Sequence, residues 1–129
     1  MLSVEGGTAQ RALAAILDAA RLGAAGLESG GVLLHLDVEA GLVHLPGRTV
    51  AIVLRIPRAG EVGVVEDLLV DRAFEDVPGE ATVLAELGDL LVTSVEDLRQ
   101  VLCAAALARA AGVSAEHVRA GVRACGPDP

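Results

Sequence analysis

The feature that most restricts what this chain can become is residues 94–126, which are written as two helices back to back. Thr93 and Ser94 are followed three residues on by Glu96 and Asp97, so either hydroxyl can cap a first turn while the carboxylate reaches back to the cap N–H. Leu98, Val101, Leu102 and Ala105 then recur at helical spacing, and Gly112 supplies a left-handed residue to end the helix. Ser114 caps a second helix at once, Val118 and Val122 carry its apolar side, and Gly126 with Pro127 stops it. The expectation is a tight helical hairpin joined by about two or three residues.

The rest of the chain is arranged around that hairpin. Residues 8–22 have a helical pattern, with Thr8 as the cap, Leu13, Ile16, Leu17 and Ala20 on one face, and Gly23 at the end. Residues 24–31 are small and Gly-rich and read as a connector; residues 32–36 form a short apolar strand. Residues 37–48 are ambiguous between a helix and a loop broken by Pro46 and Gly47. Residues 49–56, rich in β-branched side chains, read as a central strand covered on both faces and closed by Pro57. Residues 62–65 and 68–72 flank Glu66-Asp67 as an antiparallel hairpin; 76–79 form a turn; 81–91 read as a strand, a short helix or both. The fold class expected is α/β: a small, single layered domain over 1–129, with a mixed sheet, an N-terminal helix and a C-terminal helical hairpin. It divides into helix and connector (1–29), sheet portion (30–92) and helical hairpin (93–126).

Composition narrows the function classes. A length of 129 residues suits one small domain with a modest core. The formal net charge of -8 and the pI near 4.7 argue against nucleic acid and against an anionic membrane as partners. No run is apolar for the roughly 18 residues of a spanning helix, and the first residues lack the pattern of a secretion signal. Cys103 and Cys125 stand singly and read as small buried hydrophobes in a reducing cytoplasm. Phe74 is the lone aromatic residue, so the Ala/Val/Leu core is weakly specified and invites a partner surface to complete it. All ten cationic residues are Arg. Without Lys, the Gly-rich connector cannot be a nucleotide-binding P-loop.

Several of these segments also carry a family likeness. The hairpin, SVEDLRQVLCAAALARAAGVSAEHVRAGVRAC, resembles the end of the central domain of Mur ligases, and within them the D-glutamate-adding enzymes of actinobacteria. GVVEDLLVDRAF at residues 63–74 is similar to the hairpin that precedes that helix, and residues 32–55 resemble the segment after the family's Asn-x-Asp-Asp motif. The resemblance covers residues 30–126. It implies an origin in an enzyme that joins an amino acid to a UDP-linked muramoyl peptide through an acyl-phosphate made with ATP and magnesium. Such an enzyme has three domains, so this chain is expected to be at most one part of one.

The same resemblance says what the chain lacks. The family uses a phosphate-binding Lys and a carbamylated Lys, and Arg cannot replace the latter because its guanidinium stays protonated and offers no free amine. A gapless alignment puts Glu96, Asp97 and Gln100 at the His-Asn-x-x-Asn motif that touches the nucleotide in many members. Two carboxylates there would repel ATP, and their capping role accounts for them. No cofactor is therefore expected, although ATP and magnesium serve the resembled family.

The remaining polar candidates are few. His35, Asp37 and Glu39 alternate, so on an extended segment they would share a side and could bind a divalent metal or act as acid and base; a strand leaving for solvent would carry them equally well. The family comparison keeps Asp37 and puts His35 and Val38 at changed positions. His44 and His117 read as surface or capping residues. Arg72 is expected to pair with Asp71 or Asp76 while Phe74 anchors the hairpin. Arg109, Arg119 and Arg123 either hold an anion or lie over the apolar stripe as solvated side chains. Two functions follow: a truncated or degenerate Mur-ligase-like central domain without turnover of its own, or a stand-alone acidic module that forms a homodimer or binds a partner protein through its Ala/Leu helix faces.

Overall fold

The computed structural model describes residues 2–3, 7–20, 34–37, 39–45, 47–74, 80–89 and 94–124. Within these, seven strands form one mixed sheet in which spatial order equals chain order. They are β1 (Leu2–Ser3), β2 (Leu34–Asp37), β3 (Leu42–Leu45), β4 (Arg48–Ile52), β5 (Glu61–Val65), β6 (Leu68–Asp71) and β7 (Thr82–Glu86). The pairs β1–β2 and β4–β5 are parallel; the other four are antiparallel. Three α-helices among the described residues accompany the sheet: α1 (Gly7–Ala19), α2 (Val95–Ala110) and α3 (Ala115–Ala124). The α/β class with an N-terminal helix and two C-terminal helices is the one expected.

Helix α2 departs from the single apolar stripe read from its sequence. Every residue from Val101 to Ala108 is buried, because β2 to β5 lie on one side of the helix and α1 on another. A helix enclosed in this way has to be apolar around its circumference, and its Ala and Cys side chains let both neighbours come close. The two C-terminal helices pack mainly against α1 rather than against each other, so they do not form a self-contained hairpin. Helix α1 is the amphipathic outer element: Ala9, Ala12, Leu13, Ile16 and Leu17 are buried, whereas Gln10, Arg11, Ala14 and Asp18 are exposed.

The punctuation between α2 and α3 follows the expected chemistry. Gly112 takes φ +96°, its N–H bonds Arg109 O at 3.0 Å, and the Val113 N–H bonds Ala108 O at 3.0 Å. That pair of bonds is a Schellman closure, with Val113 buried against the end of the helix. Ser114 Oγ then accepts the His117 N–H at 3.3 Å and lies 2.9 Å from His117 Nδ1, so His117 is an exposed capping residue. The link spans residues 111–114, slightly longer than anticipated.

Other segments correct the reading made from sequence. The stretch 37–48, ambiguous between helix and loop, contains a reversal, the strand β3 and the start of β4. Asp37 Oδ1 accepts the Ala40 N–H at 3.0 Å and Gly41 turns at φ +69°, which is what folds β3 back onto β2. Strand β4 ends at Ile52, not Ile56. Val53 N–H still reaches Val62 O at 2.8 Å and Val64 N–H reaches Arg55 O at 2.9 Å, but the chain between bends outward and leaves Leu54 and Ile56 41% and 68% exposed. The anticipated strand covered on both faces is therefore half a strand and half a loop. That loop, residues 53–60, returns the chain to a parallel neighbour in fewer than the dozen or so residues usual for such a connection.

The β5–β6 hairpin is where the sequence placed it, and Glu66 supplies the left-handed turn residue at φ 55° in place of Gly. Residues 81–91 hold both alternatives, β7 and then a 3-10 turn at Leu87–Asp89. The connector 24–31, the turn at 76–79 and Cys125 lie outside the described residues.

Candidate functional site

The residues singled out for ligand contact on the α2 helix gather where two helices begin. Ser94, extended at φ -156° and ψ 164°, accepts the Asp97 N–H on Oγ at 3.1 Å, so Ser94 is the cap. Asp97 and Gln100 then face the start of α1. Thr8 Oγ1 donates to Asp97 Oδ1 at 2.9 Å, and the Ala9 N–H donates to Gln100 Oε1 at 3.2 Å. The first N–H groups of a helix have no partner within it. Gln100 satisfies one of those of α1, and the Asp97 carboxylate stands at the positive ends of both helix dipoles. Thr8, expected as the cap of α1, instead links the two helices and also receives Arg11 Nη2 at 3.2 Å.

Glu96 completes the group. Arg99 grips its carboxylate with two bonds of 2.7 and 3.0 Å, and Gln100 Nε2 lies 3.4 Å from the same carboxylate. The Arg99 hydrogen bond holds the Glu96 carboxyl below the usual carboxylate range. One turn further, Cys103 is buried, and the cost of charging a thiol there pushes it up to about 11. Asp97 and Gln100 thus form a clamp between α1 and α2, while Glu96 is held by Arg99 and Gln100 within α2 itself. Replacing Asp97 by Ala is expected to lower stability by about 1 kcal/mol, read from chemical denaturation, with Thr8→Val adding little to it because the two share one bond.

The residues of the possible metal group separate in role. Asp37 ends β2 with one carboxylate oxygen on the Ala40 amide, and Glu39 is exposed in the turn rather than on an extended segment. His35 belongs to β2, opposite His44 on β3; its side chain is outside the described set. His44 sits 3.4 Å from Thr49 Oγ1 through Nδ1.

The most enclosed polar group was missed as a pair. Asp71 is fully buried; Oδ1 accepts the Ala73 and Phe74 N–H groups at 2.7 and 3.0 Å, and Oδ2 accepts Arg109 Nε at 3.0 Å. Arg109 also bonds Val113 O at 3.1 Å and Phe74 O at 3.4 Å, so one guanidinium joins β6, the end of α2 and the α2–α3 link. Arg72, expected to pair with Asp71 or Asp76, bonds Pro57 O at 3.0 Å while Asp71 takes Arg109; Asp76 lies outside the described residues. Arg119 reaches Val83 O on β7 at 2.7 Å, and Arg48 lies over the partly buried Phe74 ring at 5.1 Å. Alternation along β6 gave no signal for the Asp71–Arg109 pair, because Leu69, Val70 and Asp71 are buried in succession.

The chain is 53% identical over 77 residues to the UDP-N-acetylmuramoylalanine--D-glutamate ligase of Thermobifida fusca, a match covering 59% of this chain and 17% of that enzyme. It is 46% identical over 93 residues to the enzyme of the same name from Streptomyces coelicolor, covering 71% of this chain and 19% of the relative. The corresponding enzyme of Nocardia farcinica is 40% identical over 76 residues, 59% of this chain and 15% of its own length. The chain therefore spans less than a fifth of the curated relatives it matches. No family model and no solved structure matches it.

Proposed function

We propose, from the premise that this chain is a Mur ligase portion related to the UDP-N-acetylmuramoylalanine--D-glutamate ligases, that it is a scaffold piece connected with peptidoglycan precursor synthesis and has no ATP-dependent ligase turnover of its own. The observation that carries this reading is the clamp. At the start of α2, Glu96, Asp97 and Gln100 are engaged with Arg99, Thr8 and the Ala9 amide, and they present carboxylates where a triphosphate would need donors and cations. The absence of Lys from all 129 residues supports it from a second side, since neither a phosphate-gripping nor a carbamylated amine is available. A reducing compartment, the cytoplasm, suits the buried free thiol of Cys103. Among the described residues no helix is long and apolar enough to cross a membrane.

The alternative, an interaction module that pairs through its Ala/Leu helix faces, would have to use another surface, because residues 101–108 are buried within the chain. The decisive experiment supplies the purified chain with UDP-N-acetylmuramoylalanine, D-glutamate, ATP and magnesium. Phosphate release at the rate of the protein-free control, together with a flat calorimetric titration of ATP and magnesium, is the expected result. Magnesium-dependent heat or substrate-dependent phosphate would overturn the reading.

A further inference from the structure

The sheet ends differently at its two sides. Among the described strands, β1 closes one side with only Leu2 and Ser3, too short to template much of a further strand. Strand β7 is the last on the other side and is five residues long, with Glu86 its one charged side chain. A strand in that position turns alternate backbone groups away from its neighbour. The Leu87 N–H goes inward to Asp67 O at 2.8 Å, so the backbone groups of Glu86 face outward. Leu69 pairs with Ala85 and Val70 with Val83, which makes Leu84 the extra residue of a bulge.

One outward carbonyl of this edge is already taken. Arg119 Nη1 donates to Val83 O at 2.7 Å. Arg119 is half-buried on α3, next to the buried Val118, and α3 lies against β7. A guanidinium on a backbone carbonyl makes a charge-assisted bond, and a strand that claimed Val83 O would have to displace the cation first. Strand β7 also matches itself. Laid antiparallel on a second copy with Val83 opposite Glu86, it pairs one outward-facing residue with another, sets Leu84 opposite Ala85, and brings no two carboxylates face to face.

We propose that the β7 edge is a pairing surface for a second copy of this chain, and that Arg119 holds it closed by occupying Val83 O. The two-fold match between Val83 and Glu86 selects a copy of the same strand over an unrelated extended segment, since each contact is then made twice. The assignment does not depend on the ligase relationship.

The test is sedimentation of the full chain and of Arg119→Ala and Arg119→Met over a range of concentrations, with a melting curve for each and amide hydrogen exchange at residues 82–86. Met keeps the aliphatic stem, so lost packing is separated from the lost bond. Both variants are expected to self-associate at least about tenfold more tightly than the wild type, the size of one hydrogen bond to a charged group. Exchange at Val83 and Glu86 is expected to slow as they associate. Variants no more associated than the wild type, association that leaves those amides unprotected, or melting far below the wild type without association would each overturn the proposal. The last result would mean that the bond merely fastens α3 to the sheet.

Discussion

Replacing Gly121 by Ala is expected to destabilise the fold by about 3 kcal/mol or more, lowering Tm by roughly 10 °C. Two effects oppose one another, and their sizes decide the sign. Within a helix such as α3, Ala is favoured over Gly by about 1 kcal/mol. A Cβ at position 121, however, would meet the Ile16 Cα and stand 2.6 Å from Ile16 N and 2.9 Å from the Ala15 carbonyl carbon. These are backbone atoms of α1 and cannot rotate away. The helices would have to separate, and the buried contacts of Ile16, Val118 and Val122 would loosen together. Against a total stability of about 5–15 kcal/mol for a domain, such a loss is a substantial fraction. Gly112→Ala, strained through φ rather than crowded, makes a useful comparison, since nothing lies within 4 Å of its Cβ position. Thermal melting of the Gly121→Ala variant at or above the wild-type temperature would contradict the close α1–α3 packing.

Arg109→Met is expected to have a comparable effect, about 3 kcal/mol or more, for an electrostatic reason. It leaves the Asp71 carboxylate fully buried with the Ala73 and Phe74 amides but without its cation, and an uncompensated buried charge is more damaging than the pair was stabilising. The double variant Asp71→Asn with Arg109→Met removes both charges and is expected to recover about half of the loss. Denaturant titration of the four proteins in the cycle gives the coupling directly. Purely additive losses would mean that the two side chains do not act as a pair.

The legible parts of the fold were those decided locally. Ser94, Gly112 and Ser114 announce their turns through their own chemistry, and the β5–β6 hairpin follows from two apolar runs about a short polar turn. The segment 37–48 was not legible because its reversal depends on Asp37 binding an amide three residues on, a contact equally compatible with a helix start. Strand β4 was overextended because apolar composition does not say where a parallel neighbour stops pairing. Around α2 the difficulty is different in kind. Glu96 and Asp97 satisfy a capping pattern on paper, and the sequence holds no sign that Asp97 and Gln100 are shared with a helix some ninety positions earlier. The Asp71–Arg109 pair, 38 residues apart, is hidden for the same reason.

Strands laid side by side in the order of the chain also shape how the molecule is made. Most of the sheet can assemble by neighbours closing over short loops, which carries a small entropic cost and favours rapid formation. Helix α1 is the exception. Its buried face must wait for α2 and α3, and the bonds from Thr8 and Ala9 to Asp97 and Gln100 close a separation of some ninety residues. Until then Leu13, Ile16 and Leu17 have no resting place, so the vulnerable interval lies between the emergence of α1 and the arrival of α2 and α3.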